Sequence, residues 1–168
     1  GLGDVYKRQP TNSEFFIYMD THSKMTLDGV GMKVPEKHQS VIGMSASELS
    51  IQNSTIFSKI DLSEGSKLTL ENVHIEKFGN NTIHAKDSEV IAKNSTITGG
   101  DLEKDFPPVW LRNVIWESEN CKIELPTGTG VCLDNNVQFN SDSDRITSLN
   151  AFNSMIRAHQ ATFTEFLC

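Results

Sequence analysis

Nowhere does this 168-residue chain approach the roughly 18 uninterrupted apolar residues that a membrane-spanning helix needs. Basic residues are also scarce: 15 Lys and Arg stand against 22 Asp and Glu, a net charge of -7. That balance argues against a nucleic-acid backbone or an anionic membrane as a general partner. The three cysteines, Cys121, Cys132 and Cys168, form no CxxC pair and have no His at zinc spacing, so they are read as ordinary thiols. A Cys121 to Cys132 disulfide would need an oxidising compartment, and the odd count lends it no special support. The histidines, His22, His38, His74, His84 and His159, are isolated and enter no Ser or Cys catalytic arrangement, so they are read as surface residues. What is present, 37% hydrophobic and 22% charged residues, suits one folded core and not a disordered tail.

Residues 1–9, GLGDVYKRQ, do not resemble the rest of the chain and look like a translated adapter scar from environmental sequencing. Setting them aside leaves 10–168 as a single domain, expected to be truncated at both ends.

The chain then repeats itself. SKMTLDGVGM from Ser23, SELSIQNSTI from Ser47, SKLTLENVHI from Ser66 and SEVIAKNSTI from Ser88 align in register. Weaker copies start at Pro107 (PPVWLRNVIW), Thr129 (TGVCLDNNVQF) and Thr147 (TSLNAFNSMI), at a mean spacing of about 21 residues. The third and fifth positions of each copy are apolar and, in the first three copies, alternate with polar neighbours, the pattern of a strand with one buried face. The seventh is Gly29 and then Asn53, Asn72, Asn94, Asn113, Asn135 and Asn153, after which the alternation changes phase. Gly and Asn tolerate the left-handed backbone that a tight corner requires, so each copy is read as strand, corner, strand. A unit this short cannot bury its own inner face; copies must stack, each strand pairing with its equivalent one coil away. Stacking predicts order down each column. Outward position 2 reads Lys24, Glu48, Lys67, Glu89, alternating in sign, and position 8 alternates Val30, Ser54, Val73, Ser95, Val114. The aligned asparagines should form an amide ladder at a buried corner.

The S-x-L-T-L-x-N-S/V-x-I phrase with its Asn column resembles the right-handed parallel β-helix repeat of the pectate-lyase-like superfold. The resemblance covers Ser23 to Ile97 well and Pro107 to Ile156 less well. It implies an all-β solenoid of about six to seven coils with period about 21. Leucine-rich repeats, the competing solenoid, would need a helix or Leu-x-x-Leu ridge that is absent. Members of the superfold serve as lyases, hydrolases, epimerases, tailspikes, adhesins and passive stalks, so the resemblance speaks to fold more than activity. The catalytic signatures of its polygalacturonases and pectate lyases do not occur here.

With the inner face committed to core, function falls to outward strand positions and longer loops. In GGDLEKDFPP, residues 99–108, Asp101, Glu103 and Asp105 crowd beside Lys104, with Arg112 on the next strand. These residues are candidates for acid–base chemistry or calcium ligation, against the plainer reading of a solvated acidic loop. NSDSD, residues 140–144, offers Asp142 and Asp144 and reads as ordinary turn chemistry. Trp110 falls at an outward position where it could stack on a sugar, whereas Trp116 falls inward. The sequons at Asn53, Asn80 and Asn94 are read as structural.

These readings support two functional classes. The leading one is a non-catalytic β-helix segment of a larger secreted or cell-surface bacterial protein, a stalk or a platform for carbohydrate or a partner surface, stacked on further coils of its own chain and without cofactor. The alternative is part of a polysaccharide lyase or glycoside hydrolase, the one reading under which calcium would enter.

Overall fold

The computed structural model describes residues 5–7, 17–32, 41–101, 103–104, 106–125 and 130–167. The described residues contain no helix and form one continuously paired set of strands, parallel coil upon coil. The architecture is an all-β, right-handed parallel β-helix of about six turns with a period of about 22 residues, as the repeat implied. Val5–Lys7 adds an antiparallel partner to Ile17–Met19.

Each coil turns two corners between strands and so presents three faces. The first face stacks Ile17–Met19, Val41–Ser45 and Lys59–Ser63, the starts of Ile83–Lys93 and Val109–Glu119, Val131–Asp134, and the end of Arg145–Phe152. The second stacks Lys24–Asp28, the starts of Glu48–Ile56 and Lys67–Phe78, the ends of Ile83–Lys93 and Val109–Glu119, then Gln138–Asp142 and Met155–His159. The third closes the coil through Gly31–Met32, Thr96–Gly100, Lys122–Glu124 and their neighbours. Inward residues of all three meet in one core: Ile60, Ile83, Val109 and Val131 from the first, Leu68, Val90, Trp116 and Phe139 from the second, Ile75, Ile97 and Ile123 from the third.

On the second face the two inward columns compensate in volume. One passes from Leu68 and Val90 to the much larger Trp116 and Phe139, while its neighbour shrinks from Leu70 through Ala92 to Ser118 and Ser141. Close packing requires that trade, since neither a void nor an overfilled layer is tolerated cheaply. The Trp116 and Phe139 rings stack with centroids 5.7 Å apart. The alternating outward charges pair as expected, Lys24 with Glu48 at 3.2 Å and Lys67 with Glu89 at 3.4 Å.

The later copies occupy a different side of the coil from the earlier ones. Val90 pairs with Trp116, and Val109 pairs with Ile83, so the phrases from Pro107 onward lie one face earlier than those from Ser23 to Ser88. The single asparagine column therefore becomes two. At the corner between second and third faces, Asn53 donates to Asp28 at 3.0 Å, Asn72 to Asn53 at 3.2 Å, and Asn120 to Asn94 at 2.8 Å. At the corner between first and second faces, Asn113 donates to Asp87 at 2.5 Å, Asn136 to Asn113 at 2.6 Å and Asn153 to Asn135 at 2.5 Å. Every one of these asparagines has positive φ, as the corner demands, and all are exposed where a buried ladder was expected. At position 8, the large and small residues are linked by more than volume: Ser54 Oγ accepts from the Val30 N–H at 2.9 Å and Ser95 Oγ from the Val73 N–H at 3.1 Å.

Candidate functional site

The acidic excursion leaves the barrel through Gly99 and Gly100, both at positive φ. A Cβ on Gly99 would sit 2.1 Å from the Lys77 carbonyl oxygen, so no other residue fits this exit. Asp101 and Phe106 close the loop by exchanging two backbone hydrogen bonds of 2.8 Å. Asp101 spends its carboxylate locally, accepting from the Glu103 N–H at 3.0 Å and pairing with Lys104 at 3.5 Å, while Glu103 is exposed. Asp105 lies outside the described residues. No cluster of three or more His, Cys, Asp or Glu side chains with metal-holding geometry occurs among the described residues.

Arg112 does not join the loop. Its Nε and Nη2 both donate to Asp134 Oδ2, at 3.0 and 2.6 Å, and its guanidinium carbon lies 5.3 Å from the Trp110 ring centroid. These contacts belong to a longer column on the outer surface of the first face. Asp61, His84, Trp110 and Cys132 occupy successive coils in register. The His84 ring stacks on Trp110 with centroids 4.6 Å apart and planes 19° apart. His84 Nδ1 lies 2.7 Å from Asp61 Oδ1, and Lys59 Nζ is 3.5 Å from the other Asp61 oxygen. Burial would push the Asp61 carboxyl up, but the His84 hydrogen bond and the neighbouring Lys59 and His84 charges outweigh it and hold the group below its usual range. Trp110 is thus outward and half-exposed, as its sequence position indicated, and stands above His84. Alongside it, Lys86 pairs with Arg112 in register, is exposed, and makes no side-chain hydrogen bond or ion pair among the described residues. Phe152, in register with Asp134, is 70% exposed.

The turn NSDSD departs most from expectation. Asp142 is outward, its carboxyl held low by the hydrogen bond from His159. Asp144 turns inward and is 1% exposed. Its Oδ2 accepts from the Ser118 and Ser141 hydroxyls, each at 2.5 Å, and its Oδ1 accepts from the Cys121 N–H at 2.7 Å. Trp116 Nε1 donates to Ser118 Oγ at 2.8 Å, extending the network to the largest core side chain. Burial pushes the Asp144 carboxyl above its usual range despite the three donors. This buried polar group organises the core.

Cys121 is buried, and burial pushes its thiol up to about 11; Cys132 is half-buried on the outer surface between Trp110 and Asn150. The two form no disulfide with each other. Among the described residues no helix is long and apolar enough to cross a membrane.

A concavity of about 750 Å³ runs along the outer surface of the second face, lined by Ile91, Lys93, Glu117, Glu119, Asn140, Asp142, Arg157 and His159. Of its carboxylates only Asp142 was singled out in the sequence, because the shifted copies hid the alignment of the others. No family model, curated protein or solved structure matches this chain.

Proposed function

We propose that this chain is a non-catalytic part of a larger secreted or cell-surface protein, a rigid solenoid that binds carbohydrate on the outer surface of its first face. The observation that carries this reading is the Trp110 column. A half-exposed indole fixed by His84 and Arg112 lies beside Lys86, a cation without a side-chain partner among the described residues, with exposed Phe152 two rungs up and two residues along, roughly 12 Å away. Aromatic surface with adjacent cations suits the apolar side of a sugar ring bearing an acidic substituent.

The carboxylates of this face favour binding over hydrolysis or elimination. Asp61 is held by His84 and Lys59, and Asp134 by Arg112, so each already has a cationic or hydrogen-bonding partner. General acid–base work needs a carboxyl or imidazole aimed at substrate. In the acidic loop the Asp101 carboxylate is likewise engaged, with Lys104 and the Glu103 backbone.

The test is affinity gel retardation on a panel of acidic and neutral polysaccharides, with product formation assayed in parallel. Retardation by an acidic polysaccharide without cleavage, weakened in Trp110→Ala, is the expected result. Cleavage lost in the Asp101→Ala/Glu103→Ala double variant would replace this reading with the lyase or hydrolase alternative, and calcium dependence would then be measured there. Absence of retardation by every polysaccharide would leave the solenoid as a passive stalk.

A further inference from the structure

The groove on the second face is separate from the Trp110 column and has its own chemistry. One wall is the outward column Ile91, Glu117, Asn140, Arg157, four coils in register. The opposite wall is made of paired charges, Lys93 with Glu119 at 3.5 Å and His159 with Asp142 at 3.1 Å. Glu117, Asn140 and Arg157, by contrast, make no side-chain hydrogen bond or ion pair among the described residues, though all three line the same groove. An anion, an amide and a cation thus stand in line, Glu117 to Arg157 spanning two rungs or roughly 10 Å.

That spacing selects among extended ligands. In an extended peptide, side chains on one side recur about every 6.8 Å, out of step with groups one rung, about 4.8 Å, apart. A pyranose linked across its ring advances a glycan by about one rung, so successive sugars would meet Glu117, Asn140 and Arg157 in turn. The amide of Asn140 both donates and accepts, as sugar hydroxyls do. The Arg157 fork matches a carboxylate, and Glu117 matches an ammonium.

We propose that this groove binds a linear glycan of mixed charge, with an amino sugar against Glu117, an uncharged sugar at Asn140 and an acidic sugar against Arg157. The site shares with the first face only the class of ligand, and none of its residues.

Three oligomers with the same β-1,4-linked pyranose geometry test it by calorimetry: chitosan (amine), carboxymethyl-cellulose (carboxylate) and carboxymethyl-chitosan (both). The mixed oligomer should bind about tenfold more tightly than either of the others, the gain expected from one additional charge-assisted contact. Glu117→Gln should reduce the mixed oligomer to the level of carboxymethyl-cellulose, Arg157→Gln should reduce it to that of chitosan, and Trp110→Ala should leave it unchanged. Equal binding of all three oligomers, or indifference to Glu117→Gln and Arg157→Gln, would overturn the proposal. Loss of mixed-oligomer binding in Trp110→Ala would also overturn it, by moving the site to the first face. Failure of polysaccharide retardation with mixed-oligomer binding intact would instead remove the first-face reading alone. Glu117 and Arg157 are exposed, so matching melting curves verify that the variants are folded.

Discussion

The imidazole of His84 lies against the indole of Trp110, centroids 4.6 Å apart, although 26 residues separate them in the chain. One coil of the solenoid places them together, and Asp61 anchors the stack from the coil before at 2.7 Å. A double-mutant cycle of His84→Ala and Trp110→Ala should give a coupling of about 1 kcal/mol in denaturant unfolding, as expected of a stacked ring pair. Additive effects would mean that the rings touch without stabilising each other.

The Asp61 end of that stack carries a pH signature. A carboxyl whose folded pKa lies below its unfolded value contributes stability above the unfolded pKa, and loses it as pH falls through the folded one. The melting-temperature advantage of the wild type over Asp61→Asn should therefore be level near neutral pH and shrink below the ordinary carboxylate value of 3.8. An advantage that grew in acid would contradict the pairing of Asp61 with His84 and Lys59.

How much of the fold and site was readable beforehand depends on which residue is asked. Period-2 alternation in Leu49, Ile51, Leu68 and Leu70 announced the strands, and positive-φ asparagines announced corners. Both corners of the coil use the same solution, an Asn in the left-handed region, so Asn94 and Asn113 looked equivalent although they occupy different corners. The 99–108 excursion hid the shift by lengthening one coil to the 26 residues between Val90 and Trp116. Trp110 was legible as outward from alternation alone. His84 with Asp61 was not, because coils of unequal length conceal which outward residues share a column.

Asp144 illustrates the opposite limit, for its local sequence is that of a solvated turn. The clue lay in other coils, where an inward column runs Leu70, Ala92, Ser118, Ser141 and so provides hydroxyls at the core. Asp144→Ala would strand the Ser118 and Ser141 hydroxyls and the Cys121 N–H, and should destabilise by about 3 kcal/mol or more. Asp144→Asn separates charge from shape. Because burial raises the folded pKa of Asp144, its contribution is fully present below the unfolded value of 3.8 and is lost as pH rises through the folded one. The wild type's advantage over Asp144→Asn should thus be largest in acid and narrow toward neutrality; thermal melts across pH decide it.

The ladders make a separable prediction at Asn113, which has φ of 52° and bonds both ways, donating to Asp87 and accepting from Asn136. Asn113→Gly keeps the left-handed corner and removes the amide, for an expected loss of about 1 kcal/mol. Asn113→Ala removes the amide and also forces a Cβ residue without a local hydrogen bond into that region, for about 2 kcal/mol. Equal losses for the two variants would assign the whole effect to the amide ladder and none to the backbone.

The cysteines test the inward and outward assignment of the strands independently of stability. In a Cys168→Ser background, Cys132 on the outer surface should react with a thiol reagent in the native protein, whereas Cys121 should stay silent until unfolding. Two physical causes act on Cys121: burial limits access, and it pushes the thiol up to about 11, leaving almost no thiolate at neutral pH. Cys132 sits one coil beyond Trp110, so its labelling should slow when a ligand occupies the first face and remain unchanged when one occupies the second-face groove. A single labelling experiment with each class of ligand therefore separates the two faces, and protection of Cys132 by the carboxymethyl-chitosan oligomer would place that ligand on the wrong one.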